Sequence, residues 1–291
     1  MQVTTAFRQI RKIKDDRFEE ENIHDYSLLL NLGVRDLQVA VLQQSRLLYL
    51  EDFIFPSVTS TEELRQALLI LLEQHAFLKA GFWKDIGVAV KNQKFIQVPE
   101  PLFDADASAQ YLRFNANVNL KAYEIHQHTL GRSQAVTVFA MPKIWKQVLA
   151  ETYPNGQYRL FHHSSALIEG VMQLASSDSE NPLYVFVDRF KFHILYARDG
   201  KLIYYNQFSI HNFQDYIKYI MLVMNSLHIN QQMSKVVMWG YLGNNSPHYH
   251  EFYKYVQNVS FGSKPAHLQY GYVFDEIQDH QYFDLLSMSL L

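Results

Sequence analysis

From Tyr26 onward the chain alternates short apolar runs with stretches of helical period. Ser27–Leu32 is an apolar run, 37–42 alternates, and 47–55 is dense in aliphatic and aromatic residues, so three strands are expected in quick succession. Pro56 stops the third. Thr59, Ser60 or Thr61 caps a helix over 62–74, with Glu63 in its first turn and Leu64, Ala67, Leu68, Leu71 and Leu72 on one buried face. Short strands at 87–91 and 94–98, joined by Asn92-Gln93 and ended by Pro99 and Pro101, read as a pair. A short helix is expected over 107–114. A strand at 135–140 runs into Pro142, which opens a helix over 143–153 closed by Pro154-Asn155-Gly156. A strand at Tyr158–His162 follows, then a helix through Ala175 capped by Ser164 or Ser165.

Residues 176–182 form the best linker in the sequence, and after it the pattern restarts. Strands are expected at Leu183–Val187, 192–197 and Lys201–Ser209, the last two joined by an Asp199-Gly200 hairpin turn. A helix over 212–227, a strand over 235–239, a loop over 240–247 and a helix over 248–256 complete the half. Residues 37–53 align without gaps on 192–208, so Arg46-Leu47-Leu48-Tyr49 falls on Lys201-Leu202-Ile203-Tyr204. Three antiparallel strands leading into parallel α/β units define a ribonuclease-H-like lobe. The fold class expected is therefore α/β, with two tandem lobes, each a mixed sheet with a three-stranded antiparallel start and flanking helices. The division expected is a polar N-terminal arm at 1–24, a first lobe at 25–180 and a second at 181–291. The apolar tail (Leu285, Leu286, Met288, Leu290, Leu291) is expected to be buried, by crossing back onto the first lobe, docking a partner or pairing two copies.

Composition narrows the functions available. Hydrophobic residues make up 48% and charged ones 19% of 291 residues, which is globular. A formal charge of −3 gives no overall footprint for nucleic acid. The sequence has no cysteine, which excludes disulfides, zinc-thiolate sites and thiol nucleophiles. No run approaches the roughly 18 apolar residues of a membrane span, and the mixed-charge start is unlike a secretory leader. A cytoplasmic protein without membrane insertion is the expectation.

The succession of 27–55, Val138-Phe-Ala-Met-Pro142, His163-Ser-Ser-Ala-Leu-Ile168, 183–208, Tyr272-Val-Phe-Asp-Glu276 and 280–285 resembles a family of uncharacterised bacterial proteins with an actin-like ATPase fold. It is similar, more distantly, to the actin-like proteins of type IV pilus assembly and type II secretion. The resemblance implies nucleotide phosphates held between two lobes by two hairpin turns, each opening with an Asp followed closely by Gly, the carboxylate organising magnesium and the Gly admitting backbone N–H groups to phosphate. Here the first turn reads Asn31-Leu32-Gly33-Val34-Arg35-Asp36, keeping Gly33 with Asn31 in the place of Asp. The second reads Asp188-Arg189-Phe190-Lys191, keeping Asp188 with bulky residues after it. With Asn31 matched to Asp188, the second turn is expected to be two residues shorter than the first. The adenosine loop is expected at Gly240-Tyr-Leu-Gly243, without a Gly-Gly dipeptide. A pseudo-ATPase serving as an interaction or scaffold protein with an unidentified protein partner is the expected function, with homo-oligomerisation open and no cofactor. The alternative is a divergent ATPase holding ATP and magnesium on Gly33, Asp188, Lys191, Gly240 and Gly243.

Other constellations carry less. His126/His128 and His248/His250 have the alternate spacing of metal ligands on a strand, without an obvious third ligand. Ser164-Ser165 after His162-His163 suggests a nucleophile with a base, but no Gly-x-Ser-x-Gly elbow surrounds it. The aromatic stretch 241–255 suits either internal packing or an interface.

Overall fold

The computed structural model describes residues 6–154, 158–176, 180–189, 191–242, 254–256 and 258–291. The chain divides into two compact units: Met1–Ala166 with His267–Glu276 and Met288–Leu291, and Leu167–Ala266 with Ile277–Ser287. The division falls inside helix α4 (His163–Ala175), upstream of the segment expected as linker.

In the first unit, strands β2 (Ser27–Leu32), β3 (Asp36–Gln43) and β4 (Arg46–Ile54) run antiparallel, and β5 (Asp85–Val90) and β9 (Tyr158–His162) add parallel to β2. In the second, β10 (Leu183–Val187), β11 (Lys191–Arg198) and β12 (Lys201–Ser209) are antiparallel, and β13 (Val236–Gly240) and β14 (Val259–Phe261) add parallel to β10. Strand orders β4-β3-β2-β5-β9 and β12-β11-β10-β13-β14 are the same plan twice. The repeat extends to irregularities. The β3–β4 ladder shifts register between Val41 and Leu42, and the β11–β12 ladder between Tyr196 and Ala197, the aligned positions. The first residue of each hairpin turn, Gln44 and Asp199, has positive φ, 54° and 53°. A two-residue turn with left-handed backbone matches the twist of the flanking strands.

The central strands are buried on both faces, and helices cover one face of each of these two sheets. Leu28, Leu30 and Leu32 of β2 join Leu64, Leu68 and Leu71 of α1 (Thr61–Gln74) and Trp145 of α3 (Lys143–Thr152). Leu183, Val185 and Val187 of β10 likewise meet Ile220, Val223 and Met224 of α5 (Phe213–Ser226). Both α1 and α5 begin with a capping box, Ser60 with Glu63 and Asn212 with Asp215, so the sequence signals these two starts locally.

Three features depart from the sequence reading. Residues Arg8–Lys14, within the expected polar arm, form strand β1 antiparallel to β4 at the sheet edge. The segments at 87–91 and 94–98 do not pair: β5 belongs to the main sheet, whereas β6 (Phe95–Pro99) joins β8 (Ala135–Pro142) and β7 (Tyr123–Leu130) in a separate three-stranded sheet over α2 (Ser108–Arg113). Asn92 turns the chain between the sheets, its side chain donating to Ala140 C=O and accepting from Lys94 N–H. The tail divides between the units, with α6 (Phe283–Ser287) buried in the second, where Phe283 stacks on Trp239 at 4.3 Å, and Met288–Leu291 in the first, where Met288 is buried and Leu290 and Leu291 are half-buried. The expected helix over 248–256 lies mostly outside the described residues.

Candidate functional site

Equivalent turns join β2 to β3 and β10 to β11. Leu32 pairs with Leu37 and, 155 positions on, Val187 pairs with Phe192. Gly33 N–H donates to Asp36 C=O at 2.9 Å, and Asp188 N–H to Lys191 C=O at 2.9 Å. The two turns are therefore of equal length, and the expected shortening of the second does not occur. Asp188 is the counterpart of Gly33, and Lys191 that of Asp36. Matching Asn31 to Asp188 aligned them by polar character, whereas the backbone hydrogen bonds fix the register. Asn31 lies fully buried inside β2 and donates to Gln38 Oε1 at 2.8 Å on the neighbouring strand.

The first turn is filled by its own chain. A Cβ on residue 33 would stand 1.8 Å from Asp36 Oδ1, so glycine here makes room for that carboxylate. Asp36 Oδ2 accepts from Lys91 Nζ at 2.9 Å, with the two side chains 1% and 6% exposed. Lys91 follows β5 directly, and its N–H donates to Leu32 C=O at 2.8 Å. At this depth each group depends on the other, since removing either would leave its partner buried at a large desolvation cost.

The second turn distributes its charges differently. Asp188 is buried, and Lys191 Nζ donates to Ser209 Oγ at 2.9 Å across the β11–β12 ladder. Burial pulls the Lys191 ammonium below the usual lysine range, and Asp188 opposes that shift. The Arg189 guanidinium lies 4.4 Å from the Tyr241 ring centroid. Tyr241 is the counterpart of Lys91, because its N–H donates to Val187 C=O at 2.8 Å. Gly240 has φ +102°, and a Cβ on it would meet Val187 O at 2.0 Å, so strand packing explains this glycine. Its N–H donates to His280 C=O at 2.8 Å, and His280 Nε2 donates to Leu242 C=O at 2.6 Å. Phe190, Gly243, His248 and His250 lie outside the described residues.

The serine–histidine motif forms a buried network in the first unit. Ser165 Oγ donates to Thr137 Oγ1, Thr137 Oγ1 to Gln97 Oε1, and Gln97 Nε2 to Ser164 Oγ, at 3.0, 2.9 and 3.0 Å. Ser164 Oγ stands 2.7 Å from His162 Nδ1, which also accepts Ser164 N–H at 3.2 Å, while His162 Nε2 donates to Asn92 C=O at 3.1 Å. His162 thus satisfies the start of α4, in place of the serines expected as its cap. Burial, with a smaller push from neighbouring His163, lowers the His162 pKa to about 3 against the bond to Asn92 C=O. The ring is a neutral structural element with both nitrogens engaged, unlike a general base open to substrate. His126 and His128 share a face of β7, packing on Phe139 and Phe161 at 5.7 and 4.7 Å.

Asp36 and Lys91 are the site residues that the sequence reading missed. The gapless repeat held the signal, since it sets Asp36 opposite Lys191.

This chain belongs to the family described as "Protein of unknown function (DUF3822)", which matches residues 15–259. No curated protein matches it. Among solved structures it is similar to a Bacteroides thetaiotaomicron protein with an actin-like ATPase fold and unknown function, with a TM-score of 0.77 and 18% identity over 94% of this chain and 99% of that one. It is also similar to a chain of the PilM–PilN type IV pilus biogenesis complex, with a TM-score of 0.57 and 11% identity over 91% of this chain and 97% of that one. The fold is that of the actin-like ATPases. Among the described residues no helix is long and apolar enough to cross a membrane.

Proposed function

We propose that this protein is an actin-like pseudo-ATPase of the cytoplasm that works through contacts with a protein partner. The observation carrying this reading is the Asp36–Lys91 pair packed against Gly33. A phosphate seeking the backbone of that turn would meet a buried carboxylate that already fills the space beside Gly33 and is held there by Lys91. Gly240, a second glycine expected to serve nucleotide, is required where it is by Val187 O. A partner-binding role draws support from PilM, a protein of similar fold that occurs in a complex with PilN.

The second reading keeps ATP and magnesium on Asp188, Lys191 and the loop from Gly240 to Gly243. Its support is the buried Asp188 carboxylate at a turn that also carries Arg189 and Lys191. Thermal unfolding with and without millimolar ATP and magnesium separates the readings. A ligand at about 100 times its dissociation constant adds roughly 2.7 kcal/mol to the native state. The pseudo-ATPase reading expects no rise in Tm. A rise of several degrees with ATP and magnesium, absent with inorganic phosphate, would overturn it.

A further inference from the structure

Strand β1 combines three features whose conjunction no part of the proposed function uses. It is the outer strand of the six-stranded sheet, and among the described residues its backbone makes ladder bonds on the β4 side alone. Its sequence, Arg-Gln-Ile-Arg-Lys-Ile-Lys, puts Arg8, Arg11, Lys12 and Lys14 within seven residues of a chain whose net charge is −3. None of these four cations has an ion-pair partner among the described residues. Arg11 reaches the Glu276 carbonyl, and Lys12 and Lys14 lie over the rings of Tyr49 and Phe18 at 5.9 and 5.3 Å.

The third feature is a cleft of about 370 Å³ beside the strand. Gln9, Lys12 and Lys14 form its rim on the β1 side, and Phe7, Phe53 and Phe77 its apolar wall. Its buried polar floor is self-contained. Glu51 Oε2 accepts from Tyr49 OH and His75 Nε2, each at 2.7 Å, while His75 Nδ1 accepts the Phe77 and Leu78 N–H groups.

We propose that β1 is a docking edge for an extended acidic segment of a partner protein, which adds to the sheet as a further strand and sets one large apolar side chain into this cleft. Strand addition draws affinity from main-chain hydrogen bonds and selectivity from pockets that receive alternate side chains. The four cations select acidic residues at the intervening and flanking positions, and Glu20 on the cleft rim disfavours acid at the inserted one. Charged edge strands also serve merely to block sheet-to-sheet association, which is the competing role.

The test uses the full chain and a fluorescein-labelled peptide of about eight residues, alternating Glu and Val with one central Phe, a length matching an ordinary strand. We expect saturable anisotropy at low salt, weakening as salt screens the charges, and a loss of about tenfold or more for the doubly substituted Arg8→Glu, Lys12→Glu protein. Replacing alternate peptide residues with proline, which removes ladder donors, is expected to cost at least as much. The competing role predicts no peptide binding, together with self-association of the charge-reversed protein. Absence of saturable binding, equal binding of the proline peptide, or displacement by an oligothymidylate of equal charge as effectively as by unlabelled peptide would each overturn the proposal. Both substituted residues are exposed, and circular dichroism confirms that the variant is folded.

Discussion

Asp36 and Lys191 occupy the same position in the two repeats yet carry opposite charge. The Asp36 carboxylate turns back against Gly33 and meets Lys91 at 2.9 Å, whereas the Lys191 ammonium bonds Ser209 Oγ at 2.9 Å. Where one repeat has Gly, Asp and Lys at the turn and the strand that follows, the other has Asp, Lys and Tyr. The two units share one strand plan, and the side chains at this position differ.

The Asp36–Lys91 pair is expected to behave as a buried unit. Lys91→Met alone should destabilise the protein by about 3–5 kcal/mol, because it strands a buried carboxylate. Combining it with Asp36→Leu should recover most of the loss. Denaturant unfolding of both single variants and the double variant measures the coupling, and additive losses would contradict a buried pair.

Gly240→Ala is expected to cost about 2 kcal/mol or more, since the strained backbone and the clash with Val187 O add together. Gly200, also at positive φ but with open space around it, should tolerate alanine at a smaller loss. Comparing the two melting temperatures separates intrinsic backbone strain from close packing.

Stability should fall as pH drops below 6.5. His162 stays neutral in the native state down to about 3, whereas the unfolded chain takes up the proton near 6.5. Its contribution is complete above 6.5 and is lost toward pH 3 at about 1.4 kcal/mol per pH unit. His126, His128, His267 and His280 are lowered too, burial being the leading cause in each, and add to the loss just below 6.5. A pH series of urea unfolding checks this, and His162→Gln should flatten the slope.

Gln97→Leu should cost about 1–3 kcal/mol, because it leaves the Ser164 and Thr137 hydroxyls in the buried network short of partners. A Thr137→Val partner substitution should then cost less in the Gln97→Leu background than in the original chain. Thermal unfolding of the set reads the difference.

Whatever depends on neighbours a few residues apart can be read directly along the chain. Ser60 with Glu63 and Asn212 with Asp215 mark helix starts by local bonding, and Asp199-Gly200 marks a hairpin by backbone preference. Residues 37–53 and 192–208 declare the repeat because the two hairpins have the same length and turn at the same place. The remaining features depend on partners distant in sequence and emerge only in the folded chain. Polar character sets Asn31 opposite Asp188, but the bonds from Gly33 to Asp36 and from Asp188 to Lys191 show Gly33 to be the true counterpart. Strands β5 and β6 look like a hairpin until β2 and β8 claim them, because a free edge pairs with whichever ladder is presented. Lys91 reads as an ordinary polar residue at the end of a strand. Its role comes from Asp36, 55 residues away, and a charge can remain so deeply buried only where such a partner meets it.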